Sequence, residues 1–559
     1  MSAAASVRID RDWPVPEEVL APFDREEVVI RKSEYIELKA RANYYEAQHA
    51  QAIRKIQSLE GLVEKLKARV RDVSQRFFGR RSEKSASKPE TAPGAAGQNQ
   101  TSPTPAPRGQ RRGSAGHGRT RLNGLPVVED KRDLSAAEKC CATCHEPLEA
   151  GPDRVSEIVE YYTMMFLRRI IRKSYRACRC RPKDRAVTPA VTGLMAPPAP
   201  ARLIPRGKLG VSVWVEVLLD KFHHGRPTNR LLQMWSTLAC PVSPGTIAGG
   251  LKRLLPLLEP LMAAFKAQQL SESLFHADET FWRVFEKMAD KVGSRWYLWT
   301  FLSPSVCFYI LDPSRSAKVP LDHFGGLLHS AMLTVDRYSA YKKLPRTLSI
   351  LLAFCWCHVR RDYLELARNY PPLQAYALGW VDRIGTLYHL NQQRVKAKVA
   401  DFTAWDAKLR AHLTQMQRQY EADLASPTLH AATRKCLESL QRHWAGLTVF
   451  ADHPEVEMDN NRAERALRNA VCGRKSYYGS GACWSAELAA SLFTVFMTLV
   501  QCWKINPRRW LTEYLQACVE GGGKAPAELS NFLPWQVSPQ RLASLRTALP
   551  MPPILFNTS

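Results

Sequence analysis

The sequence has no run of about 18 consecutive apolar residues, the length that a membrane-spanning helix needs. Its most apolar long stretch, "LAASLFTVFMTLVQCW", is interrupted by Ser, Thr and Gln, which predicts a buried helix. The first residues also lack a basic segment followed by an apolar core, so we expect no signal peptide. These absences predict a cytoplasmic protein with no membrane partner, whose cysteines are reduced and serve as free thiols or metal ligands.

Acidic residues are few beside the basic ones. The 559 residues include 53 Asp and Glu against 79 Lys and Arg, a formal net charge of +26. Such an excess favours a polyanionic partner, and nucleic acid is the first candidate. The length suffices for about three to four domains.

Apolar or small side chains recur between residues 38 and 73 at alternating steps of four and three, as in a coiled-coil seam. They are Leu38, Ala42, Tyr45, His49, Ala52, Ile56, Leu59, Val63, Leu66, Val70 and Val73. The pattern predicts a leucine-zipper-like coiled coil over residues 30–78 and a homodimer formed through residues 38–73. The alternative is a single amphipathic helix that packs on its own chain.

Residues 79–125 have almost no large apolar side chain, which predicts a disordered basic linker. Two close cysteine pairs follow, and residues 126–190 are therefore predicted to form a zinc-finger-like domain with a structural Zn²⁺. The four predicted ligands are Cys141, Cys144, Cys178 and Cys180. Cys140 or His145 could replace one of them, and a set of small buried cysteines is the alternative interpretation.

Residues 200–270 have a helical pattern in which Ser243 and Pro244 mark a helix start. Lys252 and Arg253 follow on the same segment. Two interpretations fit it: a DNA-binding helix-turn-helix, or an ordinary pair of helices packed beside the next domain.

The segment after residue 270 predicts a three-stranded antiparallel meander, with Asp278 and Glu279 inside its first strand. A further strand ends at Asp336, and another leads into a basic helix. An acid in the first strand and another at the end of the fourth is the ribonuclease-H-like layout. Two divalent cations about 4 Å apart need carboxylates that converge from different elements, so this pair is a candidate metal site.

A third carboxylate is expected on a later helix that packs on the sheet. In "EVEMDNNRAERALR", residues 455–468, Asp459 and Asn460 predict the helix cap, and Glu464 lies one turn further on the same face. Glu455 and Glu457 precede the cap and are expected to face solvent. The 128 residues between Asp336 and Glu464 predict a helical insertion at about 370–450.

Four segments resemble the signature blocks of insertion sequence 66 transposases: "HADET", "VDRYSAY", "CWCHVRRDYLEL" and "DNNRAERALRNAVCGRKSYYGSG". The heptad segment and the paired cysteines are similar to that family's leucine-zipper and zinc-finger regions. The resemblance implies a multidomain α/β protein with a ribonuclease-H-like DDE catalytic domain over residues 271–510, followed by a C-terminal tail over 511–559. The chain departs from the family at Arg337, where Gly usually follows the second acid, and in its shortened second cysteine pair.

The resemblance implies that Asp278, Asp336 and Glu464 bind two Mg²⁺ or Mn²⁺ ions. Asp278 and Asp336 would hold one ion, and Asp278 and Glu464 the other. Metal-activated water would cut the DNA at the element ends, and the freed 3′-hydroxyl would attack target DNA. Such a bacterial, nucleoid-associated enzyme can also require helper proteins of its element.

Five further residues are candidate DNA contacts: His358, Arg465, Arg468, Arg474 and Lys475. Tyr477 and Tyr478 could stack on unpaired bases. The alternatives are solvated arginines on a helix, and for His358 a packed histidine beside Cys355 and Cys357 or a second zinc site. Two other function classes stay open: a nuclease of this fold that does not join DNA, and a non-catalytic zinc and coiled-coil DNA-binding protein.

Overall fold

The computed structural model describes residues 29–78, 165–166, 175–176, 194–195, 200–288 and 292–548. The chain divides into two compact units, one formed by Met1–Pro89 with Leu364–Leu378, the other by Glu90–Tyr363 with Gly379–Ser559. The predicted linker and the four predicted zinc ligands lie outside the described residues.

Helix α1, Lys32–Phe78, belongs to the first unit and covers the whole predicted heptad segment. Its seam side chains are exposed, with Leu59 at 50% and Val63 at 47% of their accessible surface. A continuous helix here is what the heptads predict. The coiled-coil dimer itself stays a prediction.

The second unit contains a five-stranded mixed sheet and a short two-stranded one. The strands of the short sheet are β1 (Tyr175–Arg176) and β2 (Leu194–Met195). Those of the large sheet are β3 (Leu274–Arg283), β4 (Arg295–Leu302), β5 (Cys307–Asp312), β6 (Ala331–Val335) and β7 (Ile350–Phe354), in the order β5-β4-β3-β6-β7. Strands β3, β4 and β5 pair antiparallel, which confirms the predicted meander, whereas β6 runs parallel to β3 and β7 runs parallel to β6.

The remaining described chain is mostly helical. Before the sheet lie α2 (Val211–Leu218), a π-helical turn (Leu219–His223), α3 (Thr228–Thr237) and α4 (Pro244–Leu270). Within or directly after it lie α5 (Lys318–Phe324), a 3₁₀ turn (Tyr341–Arg346), α6 (Trp356–Asn369), a 3₁₀ turn (Pro371–Leu373), α7 (Gln374–Lys396), α8 (Val399–Ala425), α9 (Ala431–Leu447) and α10 (Val449–Asp452). The chain then forms α11 (Asn461–Tyr477), α12 (Cys483–Met497) with a π-helical turn (Thr498–Cys502), α13 (Pro507–Glu520), a 3₁₀ turn (Ser530–Phe532) and α14 (Pro539–Arg546).

Local signals fix several of these boundaries. Helix α4 begins at Pro244 and the side chain of Ser243 accepts a hydrogen bond from Thr246 N, as the Ser-Pro signal predicts. Lys252 and Arg253 are exposed on this helix, whereas its apolar face is buried.

The long apolar stretch forms α12 and its π-helical turn. Among the described helices, Cys483–Cys502 is the one whose length and composition would let it cross a membrane. It is buried within the unit, where α12 packs on β5 and α4, so it is a core helix as the sequence predicts.

One hydrophobic core joins segments that the sequence assigns to separate regions. It includes Leu258 of α4, Leu298 of β4 and Phe493 of α12. The residues predicted as a C-terminal tail contribute as well, because the side chains of Tyr514 and Leu545 are buried in this core. The helices before the sheet, the sheet and the helices after it therefore share apolar packing.

Candidate active site

Asp278 lies on β3, the strand that is flanked by β4 and β6 in the sheet. Successive side chains of a strand point to opposite faces of the sheet, so Asp278 and Glu279 face opposite ways. Thr280 shares the face of Asp278, and its Oγ1 accepts a hydrogen bond from Arg474 of α11 at 3.0 Å. Asp278 therefore faces the side of the sheet that α11 covers.

Asp336 follows the last residue of β6. In the parallel pairing of β3 and β6, His276 lies opposite Thr334. Two residues further along both strands, this register sets Asp336 beside Asp278, which agrees with the prediction that neighbouring strands bring the two acids together. Asp336 Oδ1 also accepts a hydrogen bond from Tyr338 N at 2.9 Å, which holds the turn after β6.

Glu464 lies in the first turn of α11, one turn after Asn460 as predicted. The three small residues Ala463, Ala466 and Ala470 of this helix are buried, and α11 packs on β3 and β4. Close packing of small side chains holds the first turn of α11 near the sheet. Glu455 and Glu457 are exposed, as the sequence predicts.

Neighbouring carboxylates affect the ionisation of Asp278. The pKa of Asp278 lies well above its usual value, chiefly because the group is buried and next because of the charge of Glu279. Asp336 and Glu464 raise it further, whereas the hydrogen bond from Glu279 N to Asp278 Oδ1 lowers it. Burial and the neighbouring carboxylates therefore disfavour the ionised form of Asp278, and a bound cation would favour it.

The donor set suits a hard divalent cation, because Asp278, Asp336 and Glu464 offer only carboxylate oxygens. Among the described residues, however, no three His, Cys, Asp or Glu side chains are grouped as closely as a preformed metal site requires. Glu464 Oε1 instead lies 3.7 Å from His358 Nε2. The donors fit the cation by their chemistry, and metal binding at these three residues stays a prediction.

Glu279 is a fourth carboxylate near the site, and the sequence patterns predict no role for it. Its side chain is only 1% exposed and forms an ion pair with Arg315, with 2.5 Å between Arg315 Nη2 and Glu279 Oε1. Tyr341 donates a hydrogen bond to Glu279 Oε2 at 2.5 Å. Burial raises the pKa of Glu279, while the bonds from Tyr341 and Arg315 lower it. The sequence does contain a signal for this role. Asp278 and Glu279 are adjacent in an apolar strand, so they face opposite sides of the sheet and Glu279 needs polar partners of its own.

His358 and two cysteines surround the start of α6. Burial lowers the pKa of His358, with Arg361 acting in the same direction and Glu464 opposing it. The Cys357 thiol lies 3.3 Å from the hydroxyl of Tyr388. Its pKa is lowered to about 7, chiefly by a hydrogen bond with Cys355. No metal cluster forms here among the residues that the structure describes. Whether His358 is a packed histidine or a DNA contact stays a prediction.

The predicted DNA contacts on α11 differ in their surroundings. Arg465, Arg468 and Lys475 are exposed. The Arg474 guanidinium instead lies 3.6 Å from the centroid of the Phe281 ring and donates to the carbonyl of Phe281. Burial lowers the pKa of Arg474, followed by the charge of Arg283. Arg474 therefore holds α11 on β3, and its contact with DNA stays a prediction.

The two tyrosines at the end of α11 also differ. Tyr477 packs on Trp282, with ring centroids 6.3 Å apart, and Lys221 Nζ lies 4.3 Å from the centre of its ring. Tyr478 is 67% exposed. Only Tyr478 of this pair offers a ring face to a base.

A group of basic side chains lies beside Asp336. Lys342 Nζ is 2.7 Å from His443 Nε2. Burial lowers the pKa of Lys342, as do the charges of Arg442 and Arg337, while Asp336 raises it. Positive charge from the turn after β6 and from α9 thus collects next to the carboxylates, where an anionic strand would be attracted.

Comparison with known proteins agrees with this architecture. The family described as Transposase IS66 family matches residues 206–488, about half of the chain. Three proteins of Sinorhizobium fredii, each named only as an uncharacterized protein, are similar to it. The protein y4hP is 24% identical over 61% of this chain and 64% of its own length. The protein y4jD is 26% identical over 72% of this chain and 79% of its own length. The protein y4qI is 24% identical over 63% of this chain and 67% of its own length. No solved structure matches the chain.

Together, the five-stranded mixed sheet and the helices packed on it define a mixed α/β protein. The chain belongs to the IS66 family of transposases. The matched region contains all five strands of the large sheet and the whole of α11. The chain spans about two thirds of the length of y4hP, with 64% of that relative aligned.

Proposed function

We propose that the protein is a DDE transposase that cleaves insertion-sequence ends and joins them to target DNA. The observation that carries this proposal is the convergence of three carboxylates from different elements: the register of β3 and β6 sets Asp336 beside Asp278, and α11, which carries Glu464, packs on β3. The sheet order and the position of α11 favour a ribonuclease-H-like catalytic domain, in which these elements carry the catalytic acids.

The three carboxylates would hold Mg²⁺ or Mn²⁺, which would supply Lewis-acid stabilisation of the phosphate undergoing substitution. Asp278 is fixed by β3, and its ionised form becomes favourable when cationic charge arrives. His358, 3.7 Å from Glu464, restricts the orientation of that carboxylate before metal binding. The exposed Arg465 and Arg468 of α11 and the basic group around Lys342 would contact the DNA backbone.

The remaining parts of the proposal concern assembly. Residues 38–73 would join two copies as a coiled coil, and the four cysteines from Cys141 to Cys180 would hold a structural Zn²⁺ in a module that helps to bind the element ends. A transposase acting on DNA would work in the bacterial cytoplasm, at the nucleoid, where its cysteines would be reduced. Helper proteins of the element would be further partners.

The test is incubation of the full chain with labelled element ends, target DNA and Mn²⁺, with cleavage and strand transfer read on one gel. We expect both products from the wild type and neither from Asp278→Asn. Asp322→Asn is the matched control, because Asp322 is an exposed acid on α5. The control should behave as the wild type does.

Substrates with pre-cut ends separate the alternatives. A protein that cleaves intact ends but does not join pre-cut ends to target DNA would be a nuclease. DNA binding with neither reaction would identify a non-catalytic DNA-binding protein.

A further inference from the structure

Asn460 precedes the first residue of α11, yet its side chain does not cap that helix. The residue is 0% exposed, so its amide group must find partners inside the protein. Asn460 Nδ2 donates to Ala277 O at 2.7 Å, and Asn460 Oδ1 lies 3.2 Å from His276 Nδ1. Because a carbonyl oxygen only accepts, the amide orientation is fixed, and His276 Nδ1 must be the donor to Oδ1. Both partners lie on β3.

The first of these contacts reaches Asp278. Ala277 directly precedes Asp278, so the bond to its carbonyl fixes the peptide group that joins the two residues. His276 adds a second anchor one residue earlier. The segment of β3 that carries Asp278 is thereby fastened to the start of α11.

A second path leads from Asn460 to Asp336. The backbone N–H of Asn460 donates to Cys355 Sγ at 3.2 Å. Cys355 N in turn donates to Val335 O at 3.0 Å, and Val335 directly precedes Asp336. The junction of β7 and α6 thus links the end of β6 to Asn460.

The third path is direct. Glu464 N donates to Asn460 O at 3.2 Å, which closes the first turn of α11. Each of the three carboxylates therefore lies within two hydrogen bonds of one buried amide residue.

From this arrangement we propose that Asn460 is a positioning residue: its side chain holds the segment of β3 that carries Asp278 against the start of α11, to which Glu464 and, through Cys355, the end of β6 are bonded by the Asn460 backbone, and this placement sets the affinity of the site for divalent metal. This inference rests on the proposed metal-dependent function and adds a residue that acts through the ligands. Residues that orient metal ligands in this way affect metal affinity by about 10- to 100-fold when they are changed.

The experiment measures Mn²⁺ binding to the full chain by isothermal titration calorimetry, without DNA. We expect Asn460→Ala to bind Mn²⁺ about 10- to 100-fold more weakly than the wild type, with circular dichroism showing a folded protein. Asn461→Ala is the matched control, because the side chain of Asn461 contacts Cys357 Sγ at 3.5 Å and does not reach β3. That control should retain the Mn²⁺ affinity of the wild type.

A pair of variants at His276 keeps the test decisive if Asn460→Ala does not fold. His276→Leu removes the donor to Asn460 Oδ1 and should weaken Mn²⁺ binding, whereas His276→Gln restores a donor and should recover part of the affinity. A purely structural role predicts lower melting temperatures without this recovery of metal affinity.

The possible outcomes separate this inference from the proposed function. A wild type that binds Mn²⁺ and cleaves DNA, with unchanged Mn²⁺ affinity in folded Asn460→Ala or in both His276 variants, overturns the inference alone. A wild type that neither binds Mn²⁺ nor cleaves DNA overturns the proposed function, and the inference with it.

Discussion

Arg337 donates a hydrogen bond from Nη2 to Asp362 Oδ2 at 2.6 Å, and from Nη1 to Ser439 Oγ at 2.9 Å. The residue after the second acid thereby ties the turn after β6 to α6 and α9. The resemblance of the sequence to the IS66 family implies Gly at this position, and Gly could make neither contact.

The ion pair between Arg337 and Asp362 predicts coupled effects on stability. Their side chains are 17% and 34% exposed, so the pair is only partly screened by solvent. We expect Arg337→Gln and Asp362→Asn each to lower the free energy of unfolding by about 1–2 kcal/mol. The double variant should lose less than the sum of the two. Urea unfolding checks this, and strictly additive losses would show that the pair contributes no coupling.

The role of Glu464 as the third carboxylate can be tested against Asp459, the nearest acidic residue in the sequence. Glu464→Gln keeps the shape of the side chain but removes the charge that a cation requires, so DNA cleavage should fall by orders of magnitude. Asp459→Asn is the control, since Asp459 Oδ1 accepts a hydrogen bond from Asn461 N at 3.0 Å and an amide oxygen can do the same. An inactive Asp459→Asn beside an active Glu464→Gln would place the third ligand one turn earlier.

A buried histidine predicts how stability depends on pH. His323 Nε2 lies 2.8 Å from Gln269 Oε1, and its Nδ1 is buried without a hydrogen-bond partner. Burial lowers the pKa of His323 from 6.5 to about 3, with Lys266 acting in the same direction. The unfolded chain therefore takes up a proton as the pH falls below 6.5, and the folded chain does not.

The contribution of His323 is thus complete above pH 6.5 and is lost as the pH falls towards 3. The loss approaches about 1.4 kcal/mol for each pH unit in this window. Urea unfolding between pH 7 and pH 5 measures it, and His323→Gln is the comparison. An equal slope in the two proteins would show that His323 does not titrate on unfolding.

The exposed seam of α1 predicts a dimer that one charge can disrupt. Val63 lies in the predicted seam and is 47% exposed on this helix. Val63→Asp would place a carboxylate without a partner in the dimer interface, so we expect monomers. Analytical ultracentrifugation measures the mass. Lys65→Glu, a charge change at an exposed position of the same helix away from the seam, should leave the dimer intact, and an unchanged mass for Val63→Asp would count against the coiled coil.

The cysteine pairs predict bound zinc. Cys144→Ser should lower the zinc content of the purified chain and weaken its binding to element ends, because a tetrahedral site loses one thiolate. The far-ultraviolet circular dichroism of the large sheet and its helices should change little. Cys240→Ser, at a free cysteine before α4, is the control. Equal zinc contents in wild type and Cys144→Ser would exclude Cys144 as a ligand.

The sequence alone determined the elements whose signals are local. The Ser243–Pro244 start of α4, the meander from β3 to β5 and the strand that ends before Asp336 follow from capping chemistry and from the spacing of apolar residues. The buried faces of α11 and α12 follow in the same way, because small or apolar side chains recur there. The positions of the acids on these elements could therefore be predicted as well.

Only the tertiary structure decided which side chains meet across long separations. Asn460 is a residue type that often caps helices, but its side chain donates a hydrogen bond to Ala277 of β3, 183 residues earlier in the chain. Arg474 has the pattern of an exposed helix arginine, yet it lies on Phe281. Periodicity identifies the buried face of an element, but the partner of a buried polar group depends on how whole elements pack, because each such group must find a hydrogen bond wherever the fold places one.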